Sequence, residues 1–544
     1  MDRRSFLEML IKSSVSGALS STMIPAVSYA ATPSFGDYKA LVCIMLFAGN
    51  DSLNTFIPIG DDSETGYNPY AANRPNIKIH DNDLSLAAFL SNQTNPYTAS
   101  QADIDAADAF SGQPIDSAQY KKGYYAHPSL GLGTNGMMPE LAGLINSSMA
   151  DGDVASDVAS KVAIVSNVGS MYMPGSKQQL LDNPLWQPRF LFAHNHQRKI
   201  NYSGIANDIS SLGWAGRLAD IWGNVNGTGT LALMNRSYSG RSDLFSSAAS
   251  AALNLRPNQL PKFTDMLSDC SNEGNDRKCQ RKNIFDAIIE QTTTTQYYAK
   301  LQDSLLSSSF ELQESIASAY EAAGFVQTAD DFTSTDSYNN SLFAIPTTNQ
   351  TGLEDELSGS LIRQLEEVAR AAKIGKDSGL QRQIFYVQLN GFDTHSQQTI
   401  THAYKLRELS LAVDKFQKAM EAQGMVNDVT SFTMSDFGRT ALENGDGTDH
   451  AWGANHFVVG GAVSGGLYGR MPSLLLKGAS DVSTKGRLVP TISSEQYYST
   501  LLKWFGVQDT ELDSLFPNLQ MHAEANSELL EYQRDIGFLS TTAT

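Results

Sequence analysis

The chain has 544 residues, more than one hydrophobic core usually holds, so one large domain with insertions, or two domains, is expected. Lys and Arg number 39 against 58 Asp and Glu, a net charge of −19. Such a surface disfavours nucleic acid and anionic membrane as partners, and it repels an anionic substrate unless local cations or metal ions reverse the sign at the site.

The N-terminus reads as an export signal over residues 1–30. Arg3-Arg4-Ser5-Phe6-Leu7 supplies paired arginines, a weakly apolar stretch follows, and small residues precede a cut after Ala30. The expectation is delivery by the twin-arginine export machinery to the periplasm or the medium. The most apolar later run, Ala40 to Phe47, is far short of the roughly 20 residues that span a bilayer, so no stable membrane insertion is expected.

Residues 31–544 read as a single large α/β domain. Continuous apolar runs at Lys39–Phe47, Lys161–Gly169, Gln383–Leu389 and Val429–Met434 have the character of strands buried on both faces, as in parallel sheets. Helical stripes lie between them: Leu357, Leu361, Leu365 and Val368, then Leu406, Leu409, Val413, Phe416 and Met420. Ser494 to Phe505 reads as a further amphipathic helix. Strands alternating with helices imply a mostly parallel sheet, with ligands bound beyond the carboxyl ends of its strands. Two stretches read as insertions, 99–119 and 238–351. The second holds Cys270 and Cys279, which an oxidising compartment would let pair, while Cys43 lies in an apolar run as a buried thiol. With no cysteine-based metal motif, any metal must be held by histidines and carboxylates.

Four polar segments carry the candidate chemistry. Asn390-Gly391-Phe392-Asp393-Thr394-His395 follows a strand, and its turn lets Asp393 and His395 face one divalent ion; a simple helix cap by Asp393 is the equal alternative. Ser435-Asp436-Phe437-Gly438-Arg439-Thr440 offers a carboxylate ligand and an arginine able to fork onto an anion. Gly447 to His456 sets His450 and His456 among glycines beside Trp452, and Ala193-His194-Asn195-His196 opens a locally basic stretch in which His194 contacts an anion. Gly131-Leu132-Gly133-Thr134-Asn135-Gly136 matches the dinucleotide fingerprint in letters alone, because no buried strand precedes it.

Together with Ala48-Gly49-Asn50-Asp51-Ser52-Leu53-Asn54, these segments in this order resemble the exported bacterial family catalogued as domain of unknown function 1501, from about Leu41 to Leu519. That family is regarded as a distant relative of the alkaline phosphatase and sulfatase superfamily. The resemblance implies an alkaline-phosphatase-like three-layer sandwich and divalent ions (zinc, manganese or calcium) at the strand ends. It also implies hydrolysis of a phosphate or sulfate ester of a small molecule or glycan. It carries metal ligation onto Asp51, Asp393, His395, Asp436 and His450, with His456 the alternative to His450. Phe437 stands where a histidine ligand is expected, and Ala193 where relatives carry a serine; Ser52, Ser170 and Ser176 are the candidate replacements. A metal- or glycan-binding envelope protein without turnover is the alternative function, and hydrolysis without a covalent step is a third.

Overall fold

A computed structural model describes residues 32–59, 62–80, 84–85, 132–135, 137–149, 161–173, 175–227, 233–255, 257, 343–344, 353, 357–521 and 534–539. Residues 1–30, read as an export signal, the stretch 99–119, Cys270, Cys279 and most of 238–351 lie outside the described residues.

In chain order the strands are β1 (Lys39–Leu46), β2 (Phe56–Pro58), β3 (Leu84–Ser85), β4 (Leu132–Asn135), β5 (Lys161–Gly169), β6 (Asn235–Ser237), β7 (Leu253–Asn254), β8 (Arg382–Leu389), β9 (Val429–Ser435), β10 (Arg439–Glu443), β11 (Thr448–His450), β12 (Ala454–Gly460), β13 (Gly466–Tyr468) and β14 (Ile492–Ser493). The main sheet runs β13-β5-β12-β9-β1-β8-β6-β7, with β14 also on β5. Its pairings are parallel except those of β12, which is antiparallel to β5 and β9. All four apolar runs are strands of this sheet. The segment Asn455 to Val459, whose polar start reads as a continuation of the glycine-rich loop, belongs to β12.

Burial on both faces explains the unbroken apolar character of β1. Val42, Ile44 and Leu46 join a core beneath the helices Pro139–Met149, Ser360–Asp377 and Gln398–Ala422. Leu41, Cys43 and Met45 point to the other side, against the helices Trp214–Trp222, Ser494–Phe505 and Asp509–Leu515. Each such fully buried aliphatic or aromatic side chain contributes about 1.5–3 kcal/mol. Ser494–Phe505 begins with a capping box, Ser493 with Gln496, which satisfies two amides its first turn would leave bare. No helix among the described residues is long and apolar enough to cross a membrane.

The register places the chemistry. Leu46 of β1 lies level with Leu389 of β8 and with Ser435 of β9, so the segments that follow these three parallel strands leave the sheet side by side. β4 pairs antiparallel with β2 and β3 in a separate small sheet, which is not the strand-to-helix setting of a dinucleotide fingerprint. Tyr238, where the second insertion begins by sequence, directly follows β6, and its amide donates to the Tyr386 carbonyl of β8.

Two histidines are fully buried within this frame. His402 contacts Asn50 Oδ1 at 2.9 Å, and His456 lies 3.3 Å from the Thr433 hydroxyl and stacks on Tyr497. Burial pushes both down to about 4. The unfolded chain therefore binds more protons than the folded one below about pH 6.5, and stability falls as pH drops from there towards 4, by up to about 3 kcal/mol per histidine. Urea unfolding at pH 7 and pH 5 is expected to show this loss, and the His402→Gln/His456→Gln double variant to show a smaller one. Equal losses in the two proteins would refute it.

Candidate metal centre

Three chain segments meet beyond the carboxyl ends of β8 and β9: the turn carrying Asp393 and His395, the β10–β11 hairpin carrying His450, and the start of the helix His194–Ser203. Glycines let the backbones touch. A Cβ on Gly447 would lie 2.4 Å from the Thr394 carbonyl oxygen, and one on Gly438 would lie 2.0 Å from that of Gly453. The Thr448 amide donates to Thr394 at 3.0 Å, tying the hairpin to the turn. Asn201 donates to the carbonyls of Ser435 and Asp436, which holds the helix against the end of β9.

At the meeting point His194, Asp393 and His450 each offer one ligand atom, all within 4.8 Å of one another. His450 Nε2 lies 3.2 Å from Asp393 Oδ1, and His194 Nε2 lies 3.6 Å from Asp393 Oδ2. Tetrahedral bonds of about 2.0–2.1 Å space ligand atoms about 3.3 Å apart, so these separations suit one small divalent ion. The far nitrogens of both rings are occupied. His450 Nδ1 donates to the Phe192 carbonyl at 2.9 Å, and His194 Nδ1 donates to Asp436 Oδ2 at 2.8 Å. A carbonyl or carboxylate can only accept, so each ring carries its proton outward and turns its Nε2 lone pair inward. His194 Nε2 is buried with no hydrogen-bond partner. Metal-bound histidines characteristically have this outer arrangement.

Electrostatics keep the donors in ligand form. Partial burial alone would raise the Asp393 carboxyl, but Arg439, His450 and His395 outweigh it and hold the group below the usual carboxylate range. Burial pushes His450 below its ordinary value, so protons compete weakly for its nitrogen at neutral pH. Phe437, packed 4.7 Å from the His194 ring and 4.6 Å from the His450 ring, closes the apolar side where a further nitrogen ligand was expected.

Of the remaining expected ligands, His395 borders the trio, and Asp51, Asp436 and His456 stand elsewhere. His395 is 44% exposed on the lip, its Nε2 2.9 Å from His450 Nε2 and 3.1 Å from Asp393 Oδ1, but it is outside the trio. Asp51 is fully buried and spent: it pairs with Arg74 at 2.6 Å, accepts from Gln398, and caps Leu53. Asp436, 0% exposed at its side chain, orients His194 from behind; its Oδ1 is buried without a partner, and the residue lines a small chamber with room for about one water. His456, the alternative to His450, lines that chamber from within β12.

His194, expected to contact an anion, is one of the three residues of the candidate cluster. Arg439 is the larger departure, since its side chain is wholly buried and its fork faces backbone. Its N–H groups donate to the carbonyls of Ala48, Gly49, Phe392 and Thr448 and, at 2.5 Å, to Asp393. It clamps the strand-end loops together and leaves no edge for an anion. The Phe192 carbonyl had no sequence signal at all, being a backbone atom.

Residues 366–512 match the family model "Protein of unknown function (DUF1501)". The matched DUF1501 span contains Asp393, His395, Asp436, Arg439 and His450, part of the segments on which the resemblance was drawn, and it supports that family. His194 and Asp51 lie before it. No curated protein matches the chain.

Proposed function

We propose that the chain is an exported, metal-dependent hydrolase that acts on a phosphate or sulfate ester at a single ion held by His194, Asp393 and His450. The observation that carries this reading is the convergence of two outward-protonated histidines and a carboxylate, with His194 Nε2 buried and unpartnered. A divalent ion there supplies Lewis-acid polarisation of an ester's anionic oxygen. His194 and His450 are pre-oriented by Asp436 and Phe192, Asp393 balances charge, and Phe437 excludes water from one side. Ligands beyond the carboxyl ends of adjacent parallel strands also support kinship with the alkaline phosphatase and sulfatase superfamily, and the paired arginines near the start support folded export.

The serines speak against a covalent step. Ser52 accepts from the Asn455 amide, Ser170 donates to Asn201, and Ser176 closes a capping box, each at 2.8–3.2 Å. Ala193 heads the His194 helix with no hydroxyl. These facts favour direct hydrolysis and equally support a second reading, an envelope protein that binds metal or glycan without turnover.

Elemental analysis of the purified mature protein, after exposure to zinc, manganese and calcium, tests the centre, and aryl phosphate and sulfate esters test turnover. About one retained ion per chain with ester hydrolysis above background is expected. No retained ion would overturn the centre; a retained ion without hydrolysis would overturn the hydrolase and leave the binding protein.

A further inference from the structure

We propose that Arg487 is a positioning residue of the His194–Asp393–His450 centre, its one guanidinium fixing both the backbone of His450 and the residue whose carbonyl holds the His450 ring. The proposal rests on reading that trio as a cation site.

A histidine ligand is aimed by whatever accepts from its far nitrogen. For His450 that acceptor is the Phe192 carbonyl, 2.9 Å from Nδ1 and 258 residues away in the chain. Phe192 lies in the turns that precede the helix His194–Ser203, two residues after Phe190, whose φ of 53° is left-handed. A bulky residue keeps such a conformation only where its surroundings hold it. Gln197 donates to the carbonyls of Arg189 and Phe190, at 3.3 and 3.4 Å, but not to that of Phe192. The Phe192 ring packs against the small core around Trp452 and Val489, and the guanidinium carbon of Arg487 lies over it, 3.9 Å from its centre.

The same guanidinium donates from Nε to the His450 backbone carbonyl at 3.0 Å. Arg487 thus touches both partners of the hydrogen bond that aims the ring, and holds one against the other. Its own backbone is firmly set. The Arg487 amide donates at 2.9 Å to the buried Asp481 carboxylate, which also accepts from the amides of Lys477 and Ser483. Just before it, the carbonyls of Lys485 and Gly486 accept from the amides of Leu442 and Ala441 in β10. Since β10 is the hairpin partner of β11, Arg487 stands on the same frame as His450 and reaches from it to Phe192. A planar guanidinium can stack and donate at once, whereas the ammonium of lysine is a point charge without a flat face.

The test compares native, Arg487→Ala and Arg487→Lys proteins labelled with nitrogen-15 at histidine. Spectra of the imidazole nitrogens are taken on metal-free protein at about pH 8, where an ordinary histidine is neutral. Zinc affinity is measured alongside by dye competition. The native His450 ring is expected to carry its proton on Nδ1 alone. In Arg487→Ala the form protonated on Nε2 is expected to appear, and zinc binding to weaken about 10- to 100-fold. The His194 ring, held by Asp436, is expected to keep its spectrum. Arg487→Lys, which retains a donor, is expected to recover part of both changes, and it replaces the alanine variant if that fails to fold. A pure Nδ1–H form of His450 in Arg487→Ala, equal disturbance of both rings, or a shifted tautomer at unchanged zinc affinity would overturn the positioning role. If the native chain holds no zinc, the centre fails separately, and the His450 tautomer alone decides whether Arg487 aims the ring.

Discussion

Zinc is expected to bind the His194→Ala protein about a hundred- to a thousandfold more weakly than the native chain, measured by competition with a chelating dye. Four-ligand structural zinc sites contribute about 10–16 kcal/mol, or about 2.5–4 kcal/mol for each ligand. Each ligand also holds a neighbour, and removing His194 leaves buried Asp436 with Arg198 at 3.6 Å as its ion pair. Replacing Asp393 would also strip Arg439 of its carboxylate partner, and replacing His450 would release Phe192. His194 is a quarter exposed, so truncation leaves the core packing in place. The Asp436→Asn protein provides a graded comparison. It keeps all three ligands but weakens the acceptor that holds the His194 ring, for which a loss of about 10- to 100-fold is expected. Unchanged affinity in His194→Ala would remove the helix from the centre, and equal losses in both variants would mean that the fold, not the ligand, had been damaged.

The Arg74→Met protein is expected to lose about 3–5 kcal/mol of stability at pH 7, read from urea unfolding. Arg74 and Asp51 are both fully buried and meet at 2.6 Å. Arg74 also donates to Asn54 and to the carbonyls of Thr440 and Ala441, which ties the loop after β1 to β10. Removing the guanidinium leaves an uncompensated carboxylate in the core, and that costs more than the pair contributes. Burial alone would raise the Asp51 carboxyl, but Arg74's charge and hydrogen bond, with help from His402 and Gln398, hold it below its ordinary value. In the native chain this contribution is therefore present above about pH 4 and is lost as pH falls through the depressed folded value. In Arg74→Met the sign reverses. Burial then raises the Asp51 value, protonation relieves the charge, and the deficit relative to native shrinks between pH 7 and pH 5. A deficit independent of pH would show that lost packing, not charge, is responsible. The Arg74→Met/Asp51→Leu double variant is expected to recover most of the loss.

The sequence by itself determined the elements. β1, β8 and β9 are unbroken apolar runs because a strand buried on both faces has no polar side to show, and the helices Ser360–Asp377 and Gln398–Ala422 announce themselves by the spacing of their leucines. Asp393, His395 and His450 were legible as candidates, since carboxylates and imidazoles among glycines after a buried strand stand at the one edge of the sheet where side chains can converge. β12 was not, because its Ala-Asn-His start has the polarity of the loop before it and only its later residues are apolar.

What only the tertiary structure decided is the partner of each polar group. Asp51 looks as good a ligand as Asp393 in the sequence, yet the helix Tyr67–Asn73 ends by delivering Arg74 onto it. Arg439 looks like an anion fork, yet the level ends of β1 and β8 present it with three carbonyls and a carboxylate, and β11 adds a fourth carbonyl. His194 reaches Asp436 across 242 residues. Hydrophobic patterning is local and sets strands and helices. A hydrogen bond or a ligand position needs atoms within about 3 Å, and which distant segments come that close depends on sheet order, register and helix docking, none of which leaves a periodic trace in the chain.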